Sequence, residues 1–134
     1  MTEIRKRSEY YRRMAEELIQ AEPELAYIRE STVAIAFLES NKKKIENGKI
    51  IFGECERVLS KNQWAMPFDF TITMFKPNIN LLTKEQERMV MFHELLHVGI
   101  KQEDESEKYY VVPHDLEDFK LIIDKFGTDY LQKG

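Results

Sequence analysis

The chain has 134 residues, 43% hydrophobic and 33% charged, and its 20 Lys plus Arg against 24 Asp plus Glu leave a formal charge of −4. A chain of this size buries about two-thirds of the surface that its unfolded form exposes, which makes one domain with its own core the simplest reading; the mild acidity argues against generic nucleic-acid binding. A single cysteine, Cys55, excludes an intramolecular disulfide and a thiolate cluster, fits a reducing compartment, and leaves His, Asp and Glu as candidate metal ligands.

No run approaches the roughly 18 uninterrupted apolar residues of a membrane span. Residues 1–20 contain no apolar block followed by a small-residue cleavage site, so the cytoplasm is the expected location. Residues 7–21 predict a first amphipathic helix, with Tyr10, Met14, Leu18 and Ala21 at helical spacing and Pro23 as its stop. The basic residues at the start, Lys6, Arg7, Arg12 and Arg13, alternate with Glu9, Glu16 and Glu17 and read as the solvated face of that helix.

Three strand-like runs follow, at 32–38, 49–58 and 67–75. The last alternates Phe68, Phe70, Ile72 and Met74 with Asp69, Thr71 and Thr73, which predicts an antiparallel or edge strand with one polar face. Between the first two runs lies a charged connection, 41–48, that carries Lys42 to Lys44 and the turn pair Asn47-Gly48. Thr83 and Gln86 form a capping-box pattern at the start of a second helix. Met89, Val90, Phe92, Leu96 and Ile100 make that helix apolar around much of its circumference, and Gly99 is its expected terminator. Residues 101–108 read as a charged, solvated loop, and a last helix is expected from Asp115 to Gly127 with Leu116, Phe119, Ile122, Ile123 and Phe126 on one face.

The chemistry concentrates in His93-Glu94-Leu95-Leu96-His97. On a helix, His93 and His97 stand one turn apart on the same face, so two imidazole nitrogens can converge on one metal ion, and Glu94 lies about 100° round, within reach of an activated water. Zinc is the expected ion, one per chain, with Glu94 as general base of a hydrolysis. Two His and a Glu on an otherwise apolar stretch would be costly to bury without partners, which favours the metal reading over a pair of satisfied core histidines. A catalytic site needs a third ligand. His114, just ahead of the last predicted helix, is the only other histidine; Glu103 is nearer in sequence and stands where a metzincin places its third histidine, although Ile100 occupies the glycine position of that pattern. All three histidines in one site is the economical reading. Asp115 and Asp118 are candidates to orient an imidazole, with helix capping the plainer role for Asp115. Tyr109 and Tyr110 are candidate oxyanion donors, with packing or exposure the plainer role for both. Cys55 and Trp64 support no functional assignment, Trp64 being expected in a loop or packed at its edge.

Taken together, the strand pair, the run Asp69-Phe70-Thr71-Ile72, the capped helix with His93-Glu94-Leu95-Leu96-His97-Val98 and the run His114-Asp115-Leu116-Glu117-Asp118-Phe119 resemble the phage metallopeptidase family of phages and prophages. The resemblance covers about residues 25–127. A more distant similarity is to SprT-like metallopeptidases, whose glycine after the distal histidine is Asp115 here. The resemblance implies a zincin-like α+β fold, zinc on His93, His97 and His114, Glu94 as catalytic base, peptide or protein as substrate, and action in the cytoplasm of a host cell. The expected architecture is a single domain over 1–134, with a small, mostly antiparallel or mixed sheet of about three strands packed on the motif helix, an N-terminal helix, and a C-terminal helix that delivers the third ligand. The strand at 66–75 is the expected sheet edge for pairing with an extended substrate. The rival reading is a non-catalytic, zinc-stabilised protein-interaction module whose coordination shell is closed by Glu103 or another carboxylate.

Overall fold

The computed structural model describes residues 2–113. The expected last helix, with His114, Asp115 and Asp118, lies outside them. The described chain opens with a short strand β1 (Arg5–Arg7) and a helix α1 (Glu9–Ala21), whose first turn is capped by Ser8 accepting from the Tyr11 amide and which ends ahead of Pro23. Its buried face is Tyr11, Met14, Ala15 and Leu18, the i, i+3, i+4, i+7 set. Tyr10, read from spacing as part of that face, is instead 47% exposed at its rim.

A 3-10 turn (Pro23–Leu25) and the one-turn α2 (Ala26–Arg29) lead into β2 (Ile35–Ser40). The charged connection then folds into a small hairpin, β3 (Ile45–Glu46) and β4 (Lys49–Ile50). Its tip residues Asn47 and Gly48 both have positive φ, 51° and 75°, which is the backbone that a two-residue hairpin turn of this hand requires. The chain continues through β5 (Gly53–Arg57), a 3-10 turn (Ser60–Asn62), β6 (Phe70–Phe75), the one-turn α3 (Lys76–Ile79) and α4 (Lys84–Leu95). The capping box at Thr83 and Gln86 forms as expected, with each side chain accepting from the other residue's amide.

Among the described residues the main sheet has four strands in the order β1-β2-β6-β5, with β2 and β6 parallel and the other pairs antiparallel. The alternating strand is therefore β6, and it is not an edge: β2 and β5 flank it, and the edges are β1 and β5. One face, with Phe37, Phe70, Ile72 and Met74, packs against Tyr11, Met14 and Leu18 of α1 and Val90, Phe92 and Leu95 of α4. The other face carries threonines because charged side chains cover it. Arg5 donates from its guanidinium to Thr73 Oγ1 at 3.2 Å and pairs with Glu54 at 2.9 Å, so Thr73 is polar yet fully buried.

After α4 the structure departs from the expected loop. Residues 98–111 form a second hairpin, β7 (Val98–Glu103) and β8 (Ser106–Val111), turning at Asp104 with φ 55°. Lys, Glu and Gln are poor strand formers, and that composition hid the hairpin; it is anchored at its base by Val98, Ile100 and Tyr109 against the core. Gly99 ends no helix. It lies in β7 opposite Tyr110, whose ring would stand 2.6 Å from a Cβ at that position, so the ring occupies the space that a side chain would need. No helix among the described residues is long and apolar enough to cross a membrane.

The two long helices are locked by a buried carboxylate. Glu87 on α4 accepts from Tyr10 Oη at 2.7 Å and from the fully buried Tyr11 Oη at 2.8 Å. Burial and the Glu87 charge both hold the Tyr11 phenol protonated, well above its ordinary pKa. Replacing Tyr11 by Phe removes a donor to a buried anion and should lower unfolding free energy by about 1.5–3 kcal/mol, read from urea denaturation, with a smaller loss for Tyr10→Phe at the rim.

Candidate metal centre

The motif falls at the C-terminal end of α4. His93 and Glu94 occupy its last turn, and the helix closes with Leu96 N donating to Phe92 O and His97 N donating to Glu94 O at 3.1 Å each. That closing turn keeps His97 in helical register with His93 although the helix proper ends at Leu95. All three functional side chains are buried. The two imidazoles meet edge to face, and their Nε2 atoms are 3.2 Å apart.

That separation can be compared with what a metal demands. Two nitrogens about 2.05 Å from one tetrahedral ion are about 3.3 Å apart. The tautomer agrees as well. His97 Nδ1 lies 2.5 Å from the carbonyl oxygen of Val112, which can only accept, so Nδ1 carries the proton and Nε2 keeps its lone pair for the convergence point. Val112 returns the contact by donating its amide to His97 O at 2.8 Å, which ties the end of the second hairpin to the end of α4. The donor set and its geometry fit a divalent metal such as zinc. Among the described residues there is no group of three or more His, Cys, Asp or Glu that could hold an ion.

His97 and Glu94 line one side of a cleft of about 310 Å³, with Gly53 and Cys55 of β5 on the other side and Val112 and Pro113 at its end. Gly53 makes the close approach possible: a Cβ there would meet Glu94 Cγ and Met74 Sδ at 3.2 Å. Further along, Lys44 Nζ pairs with Glu54 at 2.5 Å and with Glu46 at 3.3 Å. Burial raises the Glu54 carboxyl, but the Lys44 ammonium and Arg5 outweigh it and the net shift is downward, while the bond to Glu54 raises Lys44.

Of the residues singled out from sequence, His93, Glu94 and His97 come together. Glu103 does not join them: it sits at the far end of the β7–β8 hairpin opposite Ser106, 3.4 Å from Lys101, at the opposite end of β7 from the helix terminus. Tyr109 donates its hydroxyl to Glu107 at 2.7 Å and packs edge-on against Phe70, and Tyr110 covers Gly99; neither lines the cleft. Trp64 stands in a turn, 87% exposed. Cys55, which has no motif around it, faces the cleft. Sequence offered one faint signal, its spacing of two from Gly53 on a strand, but the β5–β6 register that turns both residues toward α4 is a tertiary fact.

A family model described as "Putative phage metallopeptidase" matches residues 4–134. The chain belongs to this family. No curated protein and no solved structure matches it. Membership of a metallopeptidase family implies a metal cofactor and peptide or protein substrates.

The thiol of Cys55 is driven up in pKa by burial first and by the nearby Glu94 and Glu56 carboxylates second. Cys55 should therefore react with a thiol reagent at pH 8 at least about tenfold more slowly than a free cysteine, with the full rate restored in guanidinium. Equal rates in native and unfolded protein would show that the thiol is open to solvent.

Proposed function

We propose that the chain is a zinc-dependent peptidase, active as a single zincin-like domain, in which His93, His97 and His114 hold one zinc ion and Glu94 is the general base. The observation that carries this reading is the 3.2 Å convergence of two Nε2 atoms, with the protonated nitrogen of His97 already committed to Val112 and a buried carboxylate on the adjoining helix position. His114 is the choice for third ligand because it is the one further histidine of the sequence and follows directly on Val112, which bonds to His97, and Pro113, which lines the cleft.

Zinc held there would supply Lewis-acid polarisation of the scissile carbonyl and make water acidic enough to ionise near pH 7, at a pKa of about 7. The protein's own residues do the rest. Glu94 takes the proton of the attacking water at a carboxylate oxygen as the new C–O bond forms and the carbonyl π bond opens. It then returns that proton to the amide nitrogen, so that the peptide C–N bond breaks with the amine as leaving group and the proton balance closes. Burial of Glu94 keeps bulk water from competing for that proton. The strand β5, which carries Gly53 and Cys55 and is an edge of the main sheet among the described residues, offers a backbone edge along which an extended substrate can pair, the role expected from sequence of the alternating strand. The lone cysteine, kept reduced, fits action in the cytoplasm of a host cell.

Zinc content decides the ligand set: His93→Ala, His97→Ala and His114→Ala should each lose the ion, by at least about tenfold in affinity. Unchanged affinity in His114→Ala would remove that residue. Glu94→Gln should keep zinc and fold while hydrolysis of an unfolded-protein or peptide library drops by about 10²–10⁴-fold. Wild-type protein that holds zinc yet cleaves nothing in such libraries would favour the interaction module.

Removing the metal should leave the body of the domain folded, because its apolar core of sheet, α1 and α4 assembles without metal ligands. Hydrogen exchange with and without chelator should therefore show protection retained through β2, β6 and α4 and lost around Val112. Global loss of protection would make the ion a structural necessity.

A further inference from the structure

We propose that the β3–β4 hairpin is the wall that sets how a substrate lies against Glu94, and that Asn78 is the positioning residue that holds this wall in place; the substrate half of the inference rests on the peptidase reading.

Among the described residues the hairpin stands apart from the main sheet and its two strands pair with each other alone. A two-stranded hairpin is marginal by itself in water, so whatever grips its neck sets its position. Asn78, on the single turn of α3 and fully buried, supplies that grip. Its Nδ2 donates to Lys44 O at 2.9 Å and to Ile51 O at 2.7 Å, one bond to each arm, and Ile51 N closes the neck by donating to Lys44 O at 3.1 Å. Among the described residues Oδ1 has no partner, so burying this amide costs stability on its acceptor side and its contribution lies in the two donors. An Asp would present no donor at either point, and an Ala none at all. The Lys44 side chain adds a second hold at the same neck, lying 5.4 Å over the Phe75 ring and pairing with Glu54.

The neck matters because of what the hairpin faces. Lys44, Glu46 and Ile51 line the same cleft as Glu94, His97 and Cys55. A clasp at Lys44 and Ile51 therefore fixes the height of the wall opposite the candidate general base, and a substrate side chain seated beside Glu94 meets Glu46 and Ile51. Loosening the clasp should open the cleft without disturbing the histidine pair, which is carried by α4 and Val112.

The test uses zinc-loaded full-length protein and the sole cysteine as a reporter of cleft access. Asn78→Ala should speed thiol labelling of Cys55 by about fivefold or more, with hydrogen exchange accelerated at 44–51 and unchanged in α1. The same variant should raise KM for a cleaved peptide while leaving kcat and zinc affinity as in wild type. Gly48→Val provides a second variant that cannot be confused with core damage, because it strains an exposed turn residue at φ +75° and frays the hairpin from its tip; it should move labelling and KM in the same direction, and it decides the matter if Asn78→Ala does not fold. Labelling and exchange need no turnover, so a wild type that cleaves nothing would overturn the peptidase reading while these rates still judge the clasp. Unchanged labelling and local exchange, a KM that does not move in an active enzyme, or acceleration that extends equally through α1 would overturn the inference.

Discussion

Two imidazoles and a carboxylate sit buried at the end of a helix that is otherwise committed to the core, and the rest of the structure answers to that placement. Such groups are expensive to remove from water unless each polar atom has an assigned partner. The structure meets the demand for His97 by bringing the end of β8 back to the end of α4, where Val112 bonds to the His97 ring and backbone alike. One pair of hydrogen bonds thereby selects the tautomer, aims the lone pair, and brings Val112 and Pro113 to the cleft. The β7–β8 hairpin exists, in this view, to carry the chain out from α4 and return it to His97.

The same economy governs the opposite wall. Glu94 needs a close backbone neighbour on β5, and Gly53 permits it by having no side chain to clash. Beyond Gly53 the strand turns its acidic residues Glu54 and Glu56 outward, where Arg5 reaches from β1 at the far edge of the sheet to pair with both. One arginine thus ties the two edge strands across the sheet's polar face. The strand that forms one wall of the cleft is braced by charge on one face and by packing against α4 on the other.

Local signals in the chain were enough for much of this. The period of apolar residues marks the two long helices of the described chain, and the Thr83–Gln86 capping box marks the start of the second, because capping and helical spacing are properties of contiguous sequence. Asn47-Gly48 marks its turn for the same reason, since φ above zero is a demand on the residue itself. The convergence of the two imidazoles was legible in advance because spacing of four on a helix fixes the relative direction of two side chains before any tertiary contact forms.

What the sequence by itself determined is therefore the two long helices of the described residues, the strand runs that became β2, β5 and β6, the Asn47-Gly48 turn, and the two imidazoles with the carboxylate beside them. What only the tertiary structure decided is which side each element shows to the others. The alternation in β6 looks the same whether its polar face meets water or a layer of Arg and Glu, so burial of Thr73 and the move of the sheet edge to β5 could not be read from the strand alone. The charged run after α4 became a hairpin because Tyr110 lies over Gly99 and Val112 bonds to His97, contacts between residues that are not neighbours in sequence. Cys55 and Asn78 acquire their places from strand register and from the path of a distant hairpin, and register is set by the packing of the whole domain rather than by any window of residues along the chain.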